Sequence, residues 1–486
     1  MPSTRVDYAR VRGSVHGAVP RQTSPRSSPS GARPRSPRTP LPGAGSRLPH
    51  GRRSGASRAT PGPSGIGKAG TRPGRAPLAR FSATLVTVLL LSLGCSSSGD
   101  PSSGQLSASL PDPARPGPFP VGNLRLLLTD HSRYDSYYDS DRQLPVEVWY
   151  PASRDAGDQS EGKIIDFVDP QWADLVNLVF GLLLPPEEVQ NLEKPTGSVP
   201  GAPPDVEHGP YPLVLFSHGN GSVRFQNYTL ARHLASHGFV FAAPDHTENS
   251  AFAALPDRLV IFNPLGMPKS FVDRPMDLSF ILDELLQMNA PGSGETLEGL
   301  LDPERVALAG HSFGGTAAML LIQLDPRFRA GVTLAGPWIS LALFSLDVPM
   351  MYMIGLEDRT VGVPYNTFIR DVYNRSPLPR FLLEFPDGGH YTFTDSCGLA
   401  PTLFGTGDGC GEGNRLSDGS PFLYLDYQRA QFIQRAYVTA FLSHLLKDDP
   451  FCLSWLEKNH YPEDMVLSLE LSPQSQRHEN QTTPGT

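Results

Sequence analysis

From about residue 118 onward, short continuous apolar runs alternate with segments whose apolar residues recur every three or four positions. Residues 124–128 and 146–150 are apolar, β-rich runs on either side of a polar turn region around 134–141. Leu213, Val214, Leu215 and Phe216 form an unbroken apolar run of the kind strands buried on both faces show. Residues 230–237 then read as helix and 239–243 as strand. Leu278, Ile281, Leu282, Leu285 and Leu286 have helical spacing within 277–288. Strands follow at 306–309, 331–334, 350–354 and 381–385, with helices at 316–324 and 365–373 and a long closing amphipathic helix at 427–446. Strands alternating with helices predict an α/β domain: a mostly parallel central sheet with helices on both faces. The segment 158–209 breaks the alternation, with a helix-like piece at 172–184 and a Pro-rich loop at 195–212, and reads as an insertion over one sheet edge. The piece at 172–184 suits a lid over an apolar site and an ordinary packed helix equally well.

One junction carries chemistry. Gly310-His311-Ser312-Phe313-Gly314 lies between a predicted strand and a predicted helix, where a Gly-x-Ser-x-Gly elbow belongs. A serine on so tight a turn takes strained backbone angles and lifts its hydroxyl off the sheet, while Gly310 and Gly314 lack the bulk that would keep the turn open. The helix that follows directs its positive end at the serine. If Ser312 attacks a carbonyl, it needs a base and a set of donors for the oxyanion. With the order Ser, acid, His, the downstream histidines are His390, His444, His460 and His478. Among these, His390 stands on a loop leaving the carboxyl edge of a strand. Asp358 ends the strand at 350–354 in the same way and is the candidate acid. Glu357 is its nearest rival, and Asp347 precedes the strand on the wrong edge. The Phe313 N–H supplies one oxyanion donor, and Gly219 or Asn220, with Asn220 preferred, supplies the second.

Composition sorts the rest of the chain. Residues 1–80 hold 16 basic residues against one acid, whereas 81–486 hold 25 basic against 48 acidic. The Arg-, Pro- and Ser-rich leader at 1–80 reads as disordered or as the product of a misassigned start. An acidic body argues against a nucleic-acid partner. Residues 81–94 form an apolar run too short to span a bilayer and suited to a signal peptide. Cys95 after Gly94, followed by a Ser/Pro-rich tether at 96–117, is a candidate lipidation site, which would add membrane association through a lipid anchor. The chain is thus expected to be exported, secreted or held in the cell envelope. Cys397 and Cys410 bracket a Gly-rich loop and are a candidate disulfide for an oxidising compartment, leaving Cys452. The catalytic-size domain is expected at 118–460, and a polar tail at 461–486.

Two further clusters read as structural. Asp245-His246-Thr247-Glu248-Asn249 follows a strand and is expected to line a pocket mouth, with a metal-ligand role disfavoured by the lack of His or Cys pairs. Asp273-Arg274-Pro275-Met276-Asp277 reads as a helix start.

Three motifs in order carry a resemblance: Phe216-Ser217-His218-Gly219, then Leu234-Ala235-Ser236-His237-Gly238-Phe239-Val240, then Gly310-His311-Ser312-Phe313-Gly314-Gly315. Together they resemble the secreted platelet-activating-factor acetylhydrolases and their bacterial, dienelactone-hydrolase-like relatives. The resemblance implies an α/β-hydrolase fold, no metal or cofactor, and hydrolysis of small or lipid esters with short acyl chains. It also implies Ser312 as nucleophile, His390 as base, and Asn220 and Phe313 as oxyanion amides. It fails at the acid. The animal enzymes place it just after the strand that follows the nucleophile helix, and Thr333-Leu334-Ala335-Gly336-Pro337-Trp338 holds no carboxylate. Asp358 instead resembles the acid of bacterial cutinase-like polyester hydrolases. Dienelactone hydrolases proper use a Cys nucleophile, where this chain has Ser. The readings in play are therefore an exported serine esterase acting through an acyl-enzyme, a cutinase or polyester hydrolase, and a catalytically silent binding lipoprotein of the same fold.

Overall fold

The computed structural model describes residues 112–336, 346–404 and 407–471. The chain divides into two units, Met1–Asp100 and Pro101–Thr486, and every described residue lies in the second. The leader, the apolar segment with Cys95, the tether as far as residue 111, Trp338, and the tail beyond residue 471 lie outside the described residues.

In chain order the strands are β1 (Val121–Asp135), β2 (Ser140–Pro151), β3 (Val199–Pro200), β4 (Tyr211–Ser217), β5 (Val240–Pro244), β6 (Phe252–Ala254), β7 (Leu259–Ile261), β8 (Leu301–His311), β9 (Phe328–Leu334), β10 (Met350–Gly355), β11 (Arg380–Phe385), β12 (Glu412–Asn414), β13 (Pro421–Leu423) and β14 (Val466–Glu470). The α-helices are α1 (Pro170–Leu183), α2 (Pro186–Val189), α3 (Tyr228–Ser236), α4 (Met267–Met288), α5 (Phe313–Leu324), α6 (Gly362–Arg375), α7 (Ser396–Leu399), α8 (Pro401–Phe404), α9 (Tyr427–Lys447) and α10 (Pro450–Leu456). Among the described residues the main sheet runs β14-β11-β10-β9-β8-β4-β5-β2-β1-β3. Its six central strands, from β11 to β5, pair in parallel, and β2, β1 and β14 add antiparallel pairings outside them.

The parallel strands are apolar along their central stretches because each feeds two cores. Val214, Phe216, Ala307, Ala309, Met351 and Met353 pack on one face with Leu230 and Leu234 of α3 and Ile433 and Phe441 of α9. Their alternates Leu213, Leu215, Val306, Leu308, Met350 and Tyr352 pack on the other with Leu278 and Ile281 of α4 and Ile369 and Val372 of α6. Side chains that alternate across a strand with period two need both faces covered, so the sheet is sandwiched by helices.

Three expectations are corrected. Residues 273–277 do not start a helix: α4 begins at Met267 and carries Pro275 in its interior. An interior proline costs a helix about 3 kcal/mol, and the turn is held because Arg274 and Asp277 are wholly buried in a polar network. The tail is not polar from residue 461, since β14 pairs with β11 from Arg380↔Glu470 to Glu384↔Val466. Residues 245–249 do not line an open mouth but lie buried beneath the loop that follows β4.

Candidate active site

Ser312 sits between β8 and α5 with φ 53° and ψ −120°. A left-handed φ on a non-glycine residue costs on the order of 1–3 kcal/mol and persists only where its surroundings hold it. The glycines allow the approach. A Cβ on Gly310 would overlap the Gly314 backbone, and one on Gly314 would overlap the Ser217 carbonyl. The Ser312 N–H donates to the Leu334 carbonyl of β9 at 2.8 Å, which locks the turn to the neighbouring strand.

His390 enters from the loop after β11. Its Nε2 lies 2.9 Å from Ser312 Oγ and its Nδ1 lies 2.7 Å from Asp358 Oδ2. Asp358 leaves the end of β10, and its other oxygen accepts the Val361 N–H at 2.9 Å. With the Ser312 hydroxyl donating to Nε2, the imidazole proton sits on Nδ1 and faces the carboxylate. Ser312, His390 and Asp358 are 6%, 2% and 1% exposed, so this line of hydrogen bonds is screened from bulk water. Glu357 is engaged elsewhere, accepting from the Leu416 N–H at 2.7 Å and from Arg415. Asp347 is exposed.

The two amides have no acceptor among the described residues: neither the Phe313 nor the Asn220 N–H is hydrogen bonded. Of the two candidate loop residues, Gly219 has its N–H engaged, donating to Gln226 Oε1 at 2.8 Å. The amide of Gln226 continues to His311 Nδ1 at 2.9 Å, and His311 Nε2 donates to the His390 carbonyl at 3.0 Å. Burial, with the adjacent His390 adding to it, pushes the His311 pKa well below the usual histidine value. His311 is therefore a neutral link that joins the elbow, the β4 loop and the His390 loop.

Sequence reasoning missed Gln226 and also Asp408. The Asp408 carboxylate accepts the His390 N–H at 2.9 Å, the Arg359 N–H at 2.9 Å and the Thr360 hydroxyl at 2.7 Å, tying the Asp358 turn to the His390 loop. Cys397 and Cys410 are disulfide bonded, with Cα atoms 5.5 Å apart, and this bridge closes the segment that presents Asp408. Cys452 is a buried free thiol. The cysteine pair was the available signal for Asp408; Gln226 left none.

Asp135, Glu248 and Asp273 come close enough to suggest a cation site. The ammonium of Lys269 already lies among them, at 3.1, 2.9 and 2.7 Å. On α1, Leu175, Leu178, Val179, Leu182 and Leu183 are exposed, and only Val176 is buried. The helix is anchored at its start, where Trp172 Nε1 donates to the Leu255 carbonyl at 2.9 Å. Among the described residues no helix is long and apolar enough to cross a membrane.

A doubly covered, mostly parallel sheet with a serine elbow between β8 and α5 is the α/β-hydrolase fold. Comparison with solved structures agrees: the ferulic acid esterase from Streptomyces cinnamoneus matches with TM-score 0.55 and 24% identity, over 72% of this chain and 96% of that one. The family model for platelet-activating factor acetylhydrolase, isoform II, matches residues 108–257, a stretch that includes the β4 loop and ends before Ser312. The platelet-activating factor acetylhydrolase of Cavia porcellus is 32% identical over 158 residues, 26% of this chain and 35% of that protein. A probable 1-alkyl-2-acetylglycerophosphocholine esterase of Arthroderma benhamiae is 27% identical over 310 residues, 59% of this chain and 76% of that protein. Cutinase 2 of Thermobifida cellulosilytica is 26% identical over 188 residues, 38% of this chain and 62% of that protein. The chain matches well under half the length of the guinea-pig, dog and cattle acetylhydrolases, at 35%, 41% and 40%.

Proposed function

We propose that this chain is an exported serine hydrolase that cleaves carboxylic esters, with short acyl or phospholipid acyl esters as substrates. The observation that carries the reading is the unbroken line from Ser312 Oγ through His390 to Asp358 at 2.9 and 2.7 Å. His390 takes the hydroxyl proton as Ser312 attacks the ester carbonyl. Asp358 holds the imidazole with Nδ1 protonated and stabilises the imidazolium that forms. Charge developing on the carbonyl oxygen is met by the Phe313 and Asn220 N–H groups, at the positive end of α5. Collapse expels the alcohol, which takes the proton from His390. Water, activated by the same imidazole, then releases the acid from the acyl-enzyme.

The acetylhydrolase and glycerophosphocholine-esterase names of two relatives support a short acyl group on a phospholipid. A second reading, a cutinase or polyester hydrolase, is favoured by the acid at the end of β10 and by the Thermobifida relative. Turnover of p-nitrophenyl acetate, butyrate and octanoate, of an acetylated phospholipid and of a polyester film separates the two. The proposal expects kcat/KM to fall steeply with acyl length and the phospholipid to be cleaved. Film hydrolysis with a flat chain-length profile would favour the second reading instead.

A further inference from the structure

A second Ser–His–Asp constellation lies beneath the first. Ser217 Oγ is 2.9 Å from His246 Nε2, and His246 Nδ1 is 2.9 Å from Asp277 Oδ2. Asp277 also receives Arg142, at 2.6 Å from Nε and 2.8 Å from Nη2, and Arg133 at 2.7 Å. Ser217, His246, Arg274 and Asp277 are each 0% exposed, so no ester reaches Ser217. Its Oγ is also capped, because Arg274 Nη1 donates to it at 3.0 Å.

The direction of every bond in this network is fixed. The ionised Asp277 carboxylate only accepts, so the neutral His246 offers Nε2 as acceptor to the Ser217 hydroxyl, whose Oγ also accepts from Arg274. The His246 proton is then on Nδ1, facing Asp277. From Arg274 the bonds run outward to the β4 loop. Nη1 donates to the His218 carbonyl and Nη2 to the Gly219 carbonyl, the latter at 3.1 Å. Nε and Nη2 donate to Asn249 Oδ1 at 2.8 and 2.5 Å. Asn249 in turn donates from Nδ2 to Asn220 Oδ1 at 2.9 Å, and its carbonyl accepts the Gly221 N–H at 3.0 Å. The backbone on both sides of Asn220 and the Asn220 side chain are therefore held by one cation and the amide it orients. On its other side the Arg274 guanidinium carbon lies 4.8 Å from the Phe313 ring centroid, against the residue that bears the second free amide.

We propose that Arg274 is the positioning residue of the oxyanion site, fixing the Asn220 amide through Asn249 and the loop carbonyls while packing on Phe313. This rests on the reading of Ser312 as the nucleophile. An oxyanion donor acts only when aimed at the transition-state oxygen, and losing one donor costs about 10²–10³ in kcat. A donor left in place but loosely aimed loses less.

The test compares the full chain with Arg274→Met, Arg274→Lys and Asn249→Asp, reading p-nitrophenyl acetate kinetics against pH and amide exchange at residues 218–221. Asn249→Asp keeps an acceptor for Arg274, whose charge it pairs, and replaces the donor to Asn220 with a second acceptor, so it stays informative where Arg274→Met fails to fold. The expected result is a kcat lowered about 10–100-fold in Arg274→Met, partly recovered in Arg274→Lys, and lowered about 5-fold or more in Asn249→Asp. KM should stay within about 3-fold, the pH midpoint of kcat should not move, and exchange at 218–221 should quicken, because the base is untouched. Wild-type kcat in folded Asn249→Asp, or a kcat loss that brings a shifted pH midpoint, would overturn the role of Arg274 alone. A wild-type chain inactive on every ester would instead overturn the hydrolase reading beneath it.

Discussion

At the scale of single residues, the site depends on which carboxylate faces His390. Asp358 does so at 2.7 Å, while Glu357 is spent on Leu416 and Arg415 and Asp347 is exposed. Asp358→Asn should lower kcat by roughly 10⁴-fold with the fold intact, because an amide no longer enforces the Nδ1-protonated tautomer. Asp347→Asn should leave kcat within about 2-fold. Steady-state kinetics of the two purified variants check this, and equal effects would refute the assignment of the acid. That Ser312, His390 and Asp358 meet was legible because each follows the carboxyl end of a strand, and the glycines around Ser312 mark a turn only small residues close. The preference for Asn220 over Gly219 could be stated from the sequence, but its structural reason could not, since that is Gln226, seven residues on, taking the Gly219 amide. Asp408 was marked only indirectly, by the cysteine pair that closes its segment, because the backbone amides it binds carry no residue-type signature.

Elements were read correctly where a period repeated and misread where one residue spoke loudly. The strands β4, β8, β10 and β11 announce themselves as apolar runs. Pro275, by contrast, suggested a helix start, whereas α4 passes straight through it, because the buried contacts of Arg274 and Asp277 outweigh a propensity term of a few kcal/mol. β14 has a mixed pattern that only its partner β11 explains. The disulfide joins elements in a way spacing alone could only suggest. With a sequence separation of 13, its loss should cost about 3 kcal/mol. Cys410→Ser should therefore lower the midpoint of thermal unfolding. Since the bridged segment presents Asp408 to both the acid turn and the base loop, kcat should fall at temperatures well below that midpoint as well. Thermal melts paired with initial rates test both parts, and a variant with lowered Tm but wild-type kcat would confine the bridge to stability.

For the whole molecule, the two cores on either side of the sheet hold several ionisable groups in one protonation state. Burial pushes His246 and His233 down to about 3. His218 and His311 are lowered well below the usual value, by burial first and then by neighbouring cations or imidazoles. Below about pH 6.5 the unfolded chain takes up protons at these sites that the folded chain refuses. Stability is then lost as pH falls towards their folded values. Asp395 opposes this, since burial raises it to about 6 and the folded state gains a proton there first. His237 and His444 are lowered as well, while burial also raises Asp245 and Glu147. These six histidines against three carboxyls leave a net loss, on the order of 1 kcal/mol per fully buried histidine between pH 6 and pH 5. Urea titrations at pH 7, 6 and 5 should show it, and His233→Gln should reduce the slope by one histidine's share. Stability that is flat or rises on acidification would contradict the burial of these imidazoles as neutral groups.

Of the two buried serines that each face a His–Asp pair, Ser312 and not the sealed Ser217 is the proposed nucleophile. A fluorophosphonate probe followed by peptide mass analysis reads this directly. Stoichiometric phosphonylation is expected on the peptide bearing Ser312, absent in Ser312→Ala and unchanged in Ser217→Ala where that variant folds. Folded wild-type protein that takes up no probe, or labelling that survives in Ser312→Ala, would contradict it.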